Sequence, residues 1–111
     1  MIEIVIKKYL DGHLSVPSFL EKRGKMPERY VLLEKTGDTE RNQLSYATFA
    51  FQSYAPSLYE ASELNEALIK AIKNMIILDE ISKIKLNSSY NFTDTTTKEY
   101  RYQAVFDINH Y

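Results

Sequence analysis

Two stretches of this chain, Tyr30 to Leu33 and Leu44 to Tyr54, carry apolar or aromatic side chains at both parities of an extended backbone. Successive side chains of a strand point to opposite faces, so Tyr30 and Leu32 oppose Val31 and Leu33, and Leu44 and Tyr46 oppose Phe49 and Phe51. An antiparallel sheet with helices on one side is expected to read polar on the other. These stretches do not, and something has to cover the second apolar face. Either the sheet folds back on itself or a second subunit supplies the cover.

Pro56 sets where the longer stretch stops, because it has no amide to give to a central ladder. Ser57 and Glu60 then stand at the spacing of a capping box, in which each satisfies the other's free amide, so a helix begins there. Ala61, Leu64, Leu68, Ala71, Ile72 and Met75 line one face of that helix, with Glu63, Glu66, Lys70, Lys73 and Asn74 turned away. Near the N-terminus Ile2, Val5, Ile6, Tyr9 and Leu10 predict a short first helix that Asp11-Gly12 ends. The segment Val16 to Glu21 holds Pro17 and, if extended, is an edge strand. RYVLLEKTG reads as a strand stopped by its glycine, GDTERNQ as a loop, and LSYATFAFQSYA as the second arm of a hairpin. Beyond the long helix, Ile84, Leu86 and Tyr90 alternate with Lys83, Lys85 and Asn87. After the polar loop NFTDTTTK, the residues Tyr100, Tyr102, Ala104, Phe106 and Ile108 alternate with Arg101, Gln103, Asp107 and Asn109. The order α-(β)-β-β-α-β-β predicts a single α+β domain over residues 1–111: an antiparallel, roughly four-stranded sheet packed by two helices.

Composition narrows the chemistry. Fourteen Lys+Arg against fifteen Asp+Glu give a net charge of -1, which offers no overall field to a polyanion or an anionic membrane. No apolar run approaches the roughly 18 to 20 residues of a membrane span, and Glu3 stands where a signal peptide needs basic residues, so a cytoplasmic chain is expected. With no cysteine there is no disulfide framework, thiolate nucleophile or sulfur-bound metal. Nine tyrosines and five phenylalanines supply large contact area instead, which suits binding to other proteins.

Neither His13 nor His110 has a neighbour in sequence that would make it a catalytic base or a metal ligand. No phosphate-cradling or hydrolase motif occurs. The carboxylate pairs Asp38 with Glu40 and Asp79 with Glu80 fall in loops or at element ends, where a solvated surface explains them. Lys22, Arg23, Lys25 and Arg29 form one basic cluster, bracketed by Glu21 and Glu28 and without interleaved aromatics to stack bases. The expectation is no enzyme, no metal and no cofactor.

PERYVLLEKTGD, then an aromatic strand running into SYAPSLYEASELNEALIKAI, then a polar loop, then a final YRYQAVFDI, together resemble the tail terminator (tail completion) proteins of long-tailed bacteriophages, in their lambda-like and Gram-positive siphophage branches. The likeness covers about residues 27–108. It implies a structural virion protein of the tail, assembled in the host bacterial cytoplasm. Such subunits form a homo-oligomer, a hexameric ring, that stops polymerisation of the tail tube and joins the tail to the head connector. The implied partners are other copies of the chain, the tail tube protein and the head-tail connector protein, with no membrane and no sequence-specific nucleic acid. Candidate interface residues are Tyr30, Leu32 and Tyr46 on the doubly apolar strands, and Asp38, Glu40, Arg41, Asp94 and Thr95 in loops at 37–43 and 91–98. Another phage neck or head-completion protein is the neighbouring alternative. A small nucleic-acid-binding module built on the basic cluster is the alternative from a different class.

Overall fold

A computed structural model describes all 111 residues. Helix α1 (Ile2–His13) buries Ile2, Ile6, Tyr9 and Leu10, as its spacing predicts. It runs through Asp11-Gly12 instead of ending there, because the Asp11 side chain is used in a different way. Its carboxylate takes Lys7 Nζ one turn back at 2.7 Å and accepts from the Ser18 amide at 3.0 Å and the Ser18 hydroxyl at 2.6 Å. The chain beyond the helix is thereby tied back onto it. Burial pushes the Asp11 carboxyl up, but the bonds from Lys7 and Ser18 outweigh this and hold it below its usual range.

The remaining elements are β1 (Ser18–Phe19), β2 (Tyr30–Arg41), β3 (Leu44–Tyr54), α2 (Leu58–Asn74) with a 3-10 turn at Met75–Ile77, β4 (Ile81–Asn91) and β5 (Arg101–His110). The fold is α+β with two helices, but the sheet has five strands in the order β1-β2-β3-β5-β4 and is mixed, where four antiparallel strands were expected. The proline-bearing segment is at the edge, and it runs parallel to β2, pairing Ser18 with Val31 and Phe19 with Leu32. Residues 20–29 make this possible: they carry the chain back to the same end of the sheet before β2 starts, the crossover that parallel pairing requires.

Gly37 does not stop β2. A bulge between Lys35 and Gly37 absorbs one residue, the Thr36 hydroxyl donates to the Thr48 carbonyl at 3.2 Å, and pairing resumes to Arg41–Leu44. The expected loop at 37–43 shrinks to a two-residue turn, Asn42-Gln43, with φ of 53° and 65°. Positive φ at both positions is the geometry that matches strand twist in a tight hairpin. The register of β4 shifts twice, between Ile81 and Lys83 and between Leu86 and Ser88, and the latter shift changes the parity of its outer half. Leu86 pairs with Phe106 over the core, and Tyr90 pairs with Gln103 on the opposite face, so Tyr90 is not on the side of Ile84 and Leu86 as expected. Between these bulged strands, β3 and β5 pair without interruption from Ser45–His110 to Tyr54–Arg101.

Both helices pack on one face of the sheet. Phe49, Phe51 and Phe106 are fully buried there with Ile6 and Leu10 of α1, Leu68 and Ile72 of α2, and Met75. The helix α2 starts at Ser57, whose hydroxyl oxygen accepts from the Glu60 amide at 3.2 Å. The reciprocal half of the box differs from expectation: the Glu60 carboxylate takes the Ser57 hydroxyl at 3.1 Å and the Arg29 guanidinium, not the Ser57 amide. No helix is long and apolar enough to cross a membrane.

Two outcomes follow from the local geometry. Gln43→Gly removes a side chain from a left-handed position costing about 1 kcal/mol, partly offset by the entropy of glycine, so a net gain of about 0.5 kcal/mol and a melting point about 2–4 °C higher are expected in thermal unfolding. Asp11→Asn is expected to cost about 1 kcal/mol at pH 7 in urea titrations. The folded-state pKa of Asp11 lies below its unfolded value, so its contribution is full above the usual carboxylate range and fades as pH falls through the lowered value. The difference between the two proteins therefore narrows as pH falls below the usual carboxylate range.

Candidate functional site

The face of the sheet without helices holds the side chains that the fold leaves free for other work. At one end Tyr30 and Tyr54, directly opposite in register, stack at 4.5 Å, and Phe19 meets Tyr30 edge-on at 5.9 Å. Residues 20–29 fold over this end. Lys22 lies 4.8 Å from the centre of the Tyr54 ring and donates to Glu99 at 3.0 Å. Burial works against the Lys22 charge, and the bond to Glu99 together with the nearby tyrosines more than compensates. Burial also pushes the Tyr30 hydroxyl up. An open cleft of about 450 Å³ runs between this arm and the strand ends, lined by Lys22, Tyr30, Tyr54, Glu99 and Tyr100 among others.

The middle of the face is a polar network. Gln52 donates to Gln103 at 2.8 Å, the Tyr54 hydroxyl donates to Gln52 at 3.0 Å, Arg101 donates to the Tyr54 hydroxyl at 3.1 Å, and Gln103 donates to the Tyr90 hydroxyl. The far end is shallower: Thr48 donates to Asp107 at 3.0 Å, Asn87 donates to the same carboxylate at 3.2 Å, and Tyr46 stands beside them at 37% exposure.

The doubly apolar strands thus receive two different answers. Tyr30 is 4% exposed and is covered by its own chain, so it is structural and not open to a partner. Leu32 and Leu44 are half-buried and Tyr46 is exposed, on the face of the sheet away from the helices. Asp38, Glu40 and Arg41 are exposed on the outer half of β2, in a strand and not in a loop; Asp38 pairs with Lys35 at 2.9 Å. Asp94 and Thr95 lie in the ordered connection from β4 to β5. The Asp94 carboxylate accepts from the amides of Thr96 at 2.9 Å and Thr97 at 3.3 Å, and these bonds hold it below its usual range.

The candidate residues consequently divide between two ends. The Asn42-Gln43 turn lies at the end where Ser45 pairs with His110; the 91–98 connection lies where Tyr54 pairs with Arg101. The molecule measures 44 Å along its long axis and 25 Å across.

The basic cluster is largely occupied. Lys22 is held by Glu99, Arg29 reaches Glu60 at 2.5 Å and Glu28 at 3.5 Å, and Arg23 lies over the Phe19 ring. His13 stacks on Tyr9 at 3.9 Å and donates to the Tyr9 carbonyl, and His110 donates to the Tyr111 carbonyl. Sequence reasoning missed the Gln52–Gln103–Tyr90 network, because it depends on a register and a bulge that no local pattern encodes. It also missed Asn65, buried on α2 and donating to Ser89 at 2.9 Å.

Comparison with protein-family models and with curated proteins gives no match.

Tyr30→Ala is expected to destabilise the protein by about 3 kcal/mol, as for other buried aromatics, whereas Tyr46→Ala should cost under about 1 kcal/mol in the same urea titrations.

Proposed function

We propose that the protein is a structural subunit of a phage tail terminator: a ring that ends the tail tube and carries the joint to the head connector. The observation that supports this reading is that the Asn42-Gln43 turn and the 91–98 connection lie at opposite ends of the sheet. A ring whose subunits stand with their strands along its axis has one segment on each of its two faces. A terminator needs two such faces, one for the tube and one for the connector. The resemblance over about residues 27–108 supports the same reading. The half-buried Leu32 and Leu44 and the exposed Tyr46 supply apolar area for contacts between neighbours or with a partner, and heterologous contacts of this kind form a ring when the rotation between copies closes. Assembly in the host cytoplasm and residence in the virion tail belong to this proposal, as does the absence of enzymatic chemistry. Within the basic cluster of the nucleic-acid reading, Lys22 and Arg29 are held in ion pairs and Arg23 lies over Phe19, which leaves Lys25 as its free cation.

The test is mass measurement of the native species over a range of concentrations, with and without the cognate tail tube protein. A hexamer that caps growing tubes and shortens them is expected. Charge changes at the exposed tips, Gln43→Lys and Lys98→Glu, should each abolish binding to a different one of the tube and connector proteins while leaving the ring mass unchanged. A chain that stays monomeric in every mixture overturns the reading.

A further inference from the structure

The sheet ends in two backbone edges of unusual length. β4 is an outermost strand of eleven residues, Ile81–Asn91, whose far side pairs with nothing. At the other margin β1 covers β2 only at Val31 and Leu32, which leaves Leu33–Arg41 unpaired on that side. Each is a row of amide and carbonyl groups of comparable length that would accept a further strand.

We propose that these two edges pair with each other between copies of the chain, β4 of one copy against the outer half of β2 of the next, so that the sheet continues from subunit to subunit. Strand sense favours it. β2 and β5 run one way, and β3 and β4 the other, as the antiparallel pairings require. In a ring whose copies share one orientation along the axis, β4 meets the neighbouring β2 antiparallel, the more stable ladder. Charge favours it too. β4 carries Lys83 and Lys85 and no carboxylate, and neither lysine has an ion-pair partner in the molecule. On the free half of β2, Asp38 and Lys35 engage each other at 2.9 Å and Lys35 also meets Glu3 at 3.6 Å, which leaves Glu34 and Glu40 without ion-pair partners against Arg41. The register puts Glu34 on the same helix-free face as Lys83 and Lys85. Lysines along an edge also oppose pairing of β4 with another β4, because like charges face one another across such a contact. The arrangement therefore selects a head-to-tail contact over a two-fold one.

The inference rests on the ring of the proposed function but not on its role in a tail. The chain has no cysteine, so introduced thiols report without background. Glu34→Cys combined with Lys85→Cys, treated with a flexible bis-maleimide in the assembled state, is expected to give a ladder of covalent oligomers, while neither single variant does. Lys83→Glu with Lys85→Glu is expected to raise the concentration needed for assembly by about tenfold or more, and adding Glu34→Lys, on the same face of the sheet, to that chain should lower it again. Unchanged circular dichroism of each monomer excludes misfolding as the cause. An assembled ring that gives no ladder and ignores the reversals overturns the edge pairing and leaves the terminator reading standing. Covalent dimers from Lys85→Cys alone mean two-fold β4 pairing and overturn it as well. A ladder from rings that fail to cap tubes leaves the edge pairing standing and removes the terminator reading. A chain monomeric under all conditions removes both.

Discussion

The pairing of β3 with β5 is the contact on which the rest of the molecule depends. It sets Phe49 opposite Phe106 and Phe51 opposite Ala104, which gives α2 an aromatic platform to bury Leu68 and Ile72 against. The same register aligns Gln52 with Gln103 and Tyr54 with Arg101 on the other side. One alignment therefore builds a dry face and a wet face together, and a slip by one residue would exchange them along the whole ribbon.

The two faces are held by different physics. On the helix side, burial of apolar area dominates, and each large aromatic excluded from water contributes on the order of a few kcal/mol. On the other side, hydrogen bonds among Gln52, Gln103, Tyr54, Tyr90 and Arg101 satisfy groups that would otherwise be costly to half-bury. The arm at 20–29 then closes one end through Lys22 and Glu99, leaving the opposite end open. Polarity on this face is not spread evenly, which is why the doubly apolar pattern has a self-contained explanation at Tyr30 and none at Tyr46.

Elements whose patterning is periodic were legible in the sequence. The face of α1, the face of α2, the stop at Pro56, the Ser57 cap and the alternation of β5 all follow from spacing and side-chain chemistry alone. What could not be read was set by contacts between distant parts of the chain. Asp11 looks like a helix terminator until Ser18 is seen to use it, and Gly37 looks like a stop until the bulge at Thr36 lets the strand resume. Tyr90 changes face because of one extra residue in β4. The direction of β1 depends on where residues 20–29 return the chain, which no local pattern records. For the candidate site, 91–98 was visible as a polar connection, but 37–43 was not the loop its composition suggests, because pairing with β3 continues to Arg41; that the two connections lie at opposite ends of the sheet depends on the same pairing.

The distribution of bulges has a mechanical consequence. Interruptions fall in β2 and β4, while the central pair carries none. At a bulge one residue is left out of the ladder, the strand bends and its right-handed twist increases. The central ribbon therefore keeps an even twist from tip to tip, while the sheet's margins bend away from it.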